Sequence, residues 1–309
     1  MKIKLLCFLP FFYIFISAQN FKEPYLIVLG TIQDAGSPQM ACQKSCCEEL
    51  FKNPDASRKV VSLGIIDPLE KKYWLIEASP DFTSQCKILK SIAGFNHEET
   101  PDGIFLTHAH IGHYTGLMYL GKESMNSIDI PVYAMPRMQE FLAVNGPWSQ
   151  LLKMKNINLS KINSEEKIQL STNISITPFL VPHREELSET VGYKIEGPKK
   201  TILFIPDIDK WEKWTKDLVK EIQKVDEALL DGTFYDVQEL SNRNISEVPH
   251  PFVTETMDLL GNEPKNEKSK IKFIHLNHTN PLLDSLSYES NTLLKKGFGI
   301  AKFKEIISL

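Results

Sequence analysis

A chain of 309 residues with 42% hydrophobic and 24% charged side chains has the composition of a globular protein with an ample core, which excludes a disordered or fibrous chain. Its formal charge of −4, with no basic face, argues against nucleic acid or another polyanion as a partner and leaves a small-molecule substrate as the expectation.

Lys2 and Lys4 precede an apolar run from Leu5 to Ile16 that ends on Ser17-Ala18, the layout of a secretory signal. Residues 1–18 are expected to be a signal peptide and 19–309 the mature domain, exported and, in a Gram-negative host, periplasmic. The run is short for a bilayer and Pro10 interrupts it, so no stable membrane span is expected after cleavage. An uncleaved anchor is the alternative.

Tyr25 to Gly30 reads as a strand, and Thr31 to Pro38 as a loop of small and turn-forming residues. Cys42, Cys46 and Cys47 then fall within six positions. In an exported protein nearby cysteines suggest a disulfide, yet three is odd and a vicinal pair bridges only with strain. A structural zinc needing a fourth ligand from elsewhere is the other reading. Val60 to Ile66 and Tyr73 to Ile76 form a hairpin pair, and Glu77-Ala-Ser-Pro-Asp81 turns the chain into a helix over Phe82 to Ala93 that buries Cys86. His97 falls in a polar loop and reads as surface.

The stretch Gly103 to Gly116 opens on a short buried strand, Ile104 to Thr107, and delivers His108, His110 and His113, three of only eight histidines, at its end. On extended backbone residues two apart point the same way. His108 and His110 can therefore face one point, with His113 entering from the next turn, and three imidazoles so placed suit zinc. A helix is expected from Tyr114 to Leu120, a strand over Pro131 to Ala134 and a helix from Pro136 to Val144. The polar span from Asn145 to Lys167, anchored by Trp148, Leu151 and Leu152, reads either as a lining of a substrate cleft or as a surface excursion.

Strands at Asn173 to Leu180 and Val191 to Ile195 bracket His183, which follows a stiffening proline at a strand end and can supply a third ligand beside His108 and His110. Arg184 could meet an anionic substrate group. Thr201 to Pro206 is a buried strand with Asp207 where it emerges, able to bridge two ions or to cap a helix expected from Lys210 to Lys220, a role open also to Asp209. Glu227 to Asp231 is a strand, Asn242 to Pro251 a loop whose His250 has no argument from spacing, Phe252 to Leu260 a helix, and Asn262 to Lys270 a charged turn. A last strand from Ile271 ends on His275, with His278 three residues on. Separate strand ends thus finish on metal-competent residues, as expected of a sandwich gathering strand ends at one rim.

His108-x-His110-x-Gly112-His113 after an apolar strand resembles the signature of the metallo-β-lactamase superfamily, His-x-His-x-Asp-His. The resemblance implies an α+β, four-layer αββα sandwich. It also implies a first metal on His108, His110 and His183, a bridging carboxylate from Asp207, and a second metal on His113 and His275. Gly112 stands where the superfamily has an aspartate for the second metal, which leaves that position only His113, Asp207 and His275.

Within the superfamily, Ser37-Pro38-Gln39, Pro182-His183-Arg184, Pro206-Asp207 and His275-x-Asn277-x-Thr279-Asn280-Pro281 resemble the PQQ synthesis protein B family. A related cyclic phosphodiesterase carries a structural zinc on three cysteines and a histidine, a pattern that falls here on Cys42, Cys46, Cys47 and His278. The expected function is an exported hydrolase with one or two catalytic zinc ions, iron or manganese being alternatives, that activates water for attack on a phosphodiester, ester or lactone. His183 and Asp207 would be central to that chemistry. A PQQ synthesis protein B-like iron-dependent oxygenase and a non-catalytic zinc-binding protein are the other readings.

Overall fold

Alternation along the strands decides the architecture. In β1 (Tyr25–Gly30), Leu26 and Val28 enter one apolar cluster while Tyr25, Ile27 and Leu29 enter another, so both faces are buried. The computed structural model, which describes residues 22–95, 98–240 and 248–309, arranges such strands in two seven-stranded sheets. The expected signal peptide and His97 lie outside the described residues. Among the described residues no helix is long and apolar enough to cross a membrane.

The first sheet runs in the order β14 (Ile306–Ser308), β1, β2 (Ser62–Asp67), β3 (Lys72–Ile76), β4 (Gly103–Phe105), β5 (Ile130–Ala134) and β6 (Ile157–Lys161). The second runs β13 (Gly299–Ile300), β12 (Ile271–Ile274), β11 (Glu227–Asp231), β10 (Thr201–Ile205), β9 (Val191–Glu196), β8 (Ser175–Leu180) and β7 (Ile168–Gln169). One cluster, with Leu26, Val28, Trp74 and Phe105 from the first sheet and Ile195, Phe204 and Leu229 from the second, is the layer between them. A second cluster packs the helix Phe82–Ala93 and its neighbours on the first sheet, and a third packs Leu218, Ile222, Val253 and Met257 on the other. This is the expected αββα sandwich.

Strand direction explains where chemistry can collect. In the first sheet β3 to β6 are parallel, and β1, antiparallel to β2, runs the same way. In the second, β10 to β13 are parallel and β8 shares their direction across the antiparallel β9. The segments leaving β1, β3, β4, β8, β10, β11 and β12 are therefore the C-terminal rims of the sheets, where open α/β sheets place ligands.

Three expectations need correction. The helix expected from Lys210 to Lys220 is a 3-10 turn, Trp211–Lys213, followed by a separate helix, Leu218–Gln223, which Asp217 caps by accepting from Lys220 N. Trp211 and Trp214 break it, because each indole turns inward to donate, to Thr256 Oγ1 at 2.8 Å and to Leu180 O at 2.9 Å. The helix expected from Tyr114 starts earlier, as one α-turn over Ile111–Tyr114 that includes His113, and continues as 3-10 over Thr115–Leu120. Finally, the span from Asn145 contains the helix Trp148–Lys153, with Trp148 edge-on to Tyr114, and the edge strand β6. It completes the first sheet instead of lining a cleft.

Candidate metal centre

The strand bearing the histidines is pinned from the opposite sheet. Tyr193 Oη donates to Leu106 O at 2.6 Å, Val191 N to Thr107 O at 3.2 Å, and Ala109 N to Ser188 Oγ at 2.8 Å. These bonds fix the end of β4 against β9 and against the loop that carries His183. His108, His110 and His183 accordingly converge, with one nitrogen of each within 4.8 Å of the others. Thr107 Oγ1 lies 2.8 Å from His108 Nδ1, which leaves Nε2 for the pocket, where it meets His110 Nδ1 at 2.8 Å.

Asp207, leaving β10, sits between two sets of imidazoles. Its Oδ2 is 3.2 Å from His113 Nε2 and 3.3 Å from His275 Nε2, while its Oδ1 is 3.7 Å from His183 Nε2. One carboxylate thus faces both halves of the pocket, the geometry of a bridging ligand. A chain from Asp231 through Thr233 Oγ1 reaches His275 Nδ1 at 2.8 Å and turns its Nε2 inward. Such outer partners fix the tautomer and angle of a ligating ring.

His275 and Glu77 are both non-glycine residues in the left-handed region, with φ of 62° and 73°. That conformation costs on the order of 1–3 kcal/mol and persists where the surroundings over-determine it. Glu77, leaving β3, places its carboxylate 3.4 Å from His113 Nδ1. The acid behind His113 is therefore Glu77 and not Asp81, at the far end of the same turn. Asp81 instead accepts from Val60 N and pairs with Lys59, closing the base of the preceding loop.

His250, left without a role by the sequence, enters the pocket beside His183, their ring centroids 5.2 Å apart, and its Nδ1 is 2.8 Å from Asp231 Oδ2. Asp34, from the loop after β1, forms a further set with His113 and His275, one donor atom of each within 4.8 Å of the others. Neither residue was assigned from the sequence.

The electrostatics divide the imidazoles. Burial and neighbouring rings push His108, His183 and His275 well below the usual range, and burial with Arg184 lowers His110 to about 4. Burial also opposes charge on His113, but Glu77 and Asp207 outweigh it and raise it to about 9. Burial lifts Asp207 to about 7 against the pull of His113 and His250.

Both ring nitrogens of His113 and of His183, His110 Nε2, His275 Nε2 and Asp207 Oδ2 are buried without a hydrogen-bond partner. Each such orphan costs on the order of 1–3 kcal/mol. One nitrogen of each ring meets the others or Asp207, and nitrogen and carboxylate donors so gathered fit a divalent cation such as zinc.

The cysteines give a second, smaller cluster. The sulfurs of Cys42 and Cys47 and a nitrogen of His278 lie within 4.8 Å of one another, and all three thiols of the group are free. Cys46 departs from the expected quartet. Its sulfur neighbours those of Cys42 and Cys47 but is not among the three donor atoms that close on one another with His278. A cavity of about 1030 Å³ is lined by Gln33, Arg184, Thr233 and His250 together with Cys42 and His278 of the second cluster.

The β-lactamase superfamily domain model matches residues 73–271. Coenzyme PQQ synthesis protein B of Xanthomonas campestris pv. campestris (strain B100) is 24% identical over 299 residues, covering 89% of this chain and 97% of that protein. The structure of Zn²⁺-bound PqqB from Methylobacterium extorquens superposes with a TM-score of 0.77 at 22% identity, covering 92% of this chain and all of that one. A diphosphatase of the PhnP family gives 0.66 at 19% identity, covering 93% and 99%. The family model spans His108, His110, His113, His183 and Asp207, and the chain belongs to the β-lactamase superfamily domain family, with the metallo-β-lactamase fold.

Proposed function

We propose that this protein is a metal-dependent hydrolase of a small anionic substrate, a phosphodiester before an ester or lactone. The observation that carries the reading is Asp207, whose two oxygens face His113 and His275 on one side and His183 on the other. That is the donor arrangement for two ions a few ångströms apart. Bound there, zinc would supply Lewis acidity toward a phosphoryl or carbonyl oxygen and lower the pKa of water.

The chain's own groups supply the rest. Arg184 is exposed on the cavity wall close to His110 and His183, with no hydrogen bond to its guanidinium among the described residues, and is available to an anionic substrate oxygen. Burial disfavours charge on His250, yet Asp231 and Asp207 outweigh it and raise its pKa, which favours the protonated ring. At the cavity edge it is placed to give that proton to a leaving oxygen. His108 and His110 orient the first position and exclude water from its rear.

The oxygenase reading, which the resemblance to the PQQ synthesis protein B family implies, calls for two histidines and one carboxylate with open positions. This pocket brings more donors together than that, which supports hydrolysis. A secretory leader in residues 1–18 would place the activity outside the cytoplasm, and the mass of the protein recovered from its host tests this.

The deciding experiment loads metal-free protein with zinc, iron or manganese and follows bis(p-nitrophenyl) phosphate and lactone hydrolysis together with oxygen uptake. Hydrolysis with zinc, lost in His108→Ala, is expected. Oxygen uptake with iron and no hydrolysis would overturn the reading, and protein inert with every metal would leave a zinc-binding protein.

A further inference from the structure

We propose that Asp34 is the carboxylate ligand of the second metal position, transposed from the turn after the histidine strand to the loop after β1, and that Gly112 is the residue that admits it. The inference rests on the two-metal reading above and goes beyond it, since the histidine signature offers no acid at position 112.

Space makes the two positions exclusive. A Cβ built on Gly112 would fall 2.2 Å from Asp34 Cβ, 2.6 Å from its Cα and 2.7 Å from its carbonyl oxygen. Two of those atoms are backbone and cannot step aside as the end of a flexible side chain would. An aspartate at 112 and the present course of the loop therefore cannot coexist.

The loop is also held to the strand end that supplies His275. Leu276 N donates to Thr31 O at 2.7 Å and Gln33 N to Leu276 O at 2.9 Å, so residues 31–33 continue as a short ladder beside residue 276. Gly36, at φ 83°, then turns the loop back, with its N–H on Gln33 O at 2.9 Å. The Gln33 side-chain amide donates to the Asp34 carboxylate and restricts its rotation. The result brings an Asp34 oxygen to within 4.8 Å of ligating nitrogens on His113 and His275. With Asp207, the second position then holds two carboxylates and two imidazoles, a full tetrahedral set for zinc.

The test titrates metal-free protein with zinc against a chromophoric chelator and, in parallel, with cobalt(II). Thiolate charge-transfer bands report the cysteine cluster separately from the thiol-free pocket. Asp34→Asn keeps the shape and removes the charge. It should weaken the second pocket ion by at least about 100-fold, beyond the roughly 10–100-fold seen when an outer partner of a ligand is lost. The first pocket ion and the thiolate bands should not change. Gly112→Ala removes no donor, yet it should weaken the same ion by displacing Asp34.

A second ion that Asp34→Asn binds as tightly as the parent protein would overturn the assignment and leave the two-metal hydrolase standing. A parent protein that takes only one ion into the pocket would overturn both.

Discussion

The histidine pocket and the cysteine cluster are built in contrary ways. The pocket draws its donors from several strand ends, three of them after β4 and the rest after β8, β10 and β12 and from the loop after β1, and His108, His113, Asp207 and His275 are almost wholly buried. Removing one donor leaves the others fixed by the sheets behind them. The cluster takes Cys42 from a loop, Cys47 from an eight-residue helix and His278 from the segment after β12, with Cys42 and His278 partly exposed. Its donors sit on segments outside the two sheets, joined by a few bonds such as Gln39 N to Cys47 Sγ. A pocket of the first kind is preorganised for chemistry, whereas a cluster of the second kind, once it binds an ion, ties a loop to the body of the protein.

Asp207 gives the comparison its severest test. Asp207→Asn removes the charge that faces both ions, and the rate on bis(p-nitrophenyl) phosphate should drop by about 10³-fold or more, with metal lost from the pocket. His250→Gln touches the proton and not the donor set, so it should cost about 10²-fold in kcat with pocket metal retained. Equal metal loss in both variants would make His250 a ligand and remove its proton-donor role. In neither variant should the melting temperature move as far as it does when the cysteine cluster is broken.

That second break separates adjacent cysteines. Cys47→Ser should release an ion and lower the melting temperature by roughly 5–10 °C, at about 2–4 °C per kcal/mol for a domain of this class, while leaving kcat for the remaining folded protein unchanged. Cys46→Ser, whose sulfur lies outside the trio, should do much less. Matching losses from the two variants would place Cys46 among the ligands and restore the quartet expected from the sequence.

Regular elements with caps or strong alternation were legible before any coordinates. β1, the helices Phe82–Ala93 and Pro136–Val144, and β11 lie where the residues put them. Donors at strand ends were legible for the same reason, because an apolar run that stops on histidine or aspartate needs an explanation. Applied without exception, that rule would also have flagged Glu77 and Asp231, which leave β3 and β11. Asp34 gave no local signal, since aspartate in a turn-rich loop is ordinary, and only the gap at Gly112 hinted that an acid had to come from elsewhere. His250 follows seven residues that lie outside the described ones, and its role depends on Asp231, nineteen positions earlier in the chain.

The mildest prediction divides the pocket itself. In the metal-free protein His113 is raised to about 9 by Glu77 and Asp207 against the cost of its burial, so near pH 7 it carries a proton that an incoming ion must displace. His108 and His183, pushed far down by burial, and His110, at about 4, are already neutral there. Affinity at the Asp34, His113 and His275 position should therefore rise roughly tenfold per pH unit from 7 toward 9, while affinity at the three-histidine position stays nearly level. Asp207, near 7, adds a shallower dependence that both positions share. Calorimetry in buffers of different ionisation enthalpy counts the protons released by each ion, and equal release at the two positions would mean that His113 enters the pocket neutral and that Glu77 does not hold its charge.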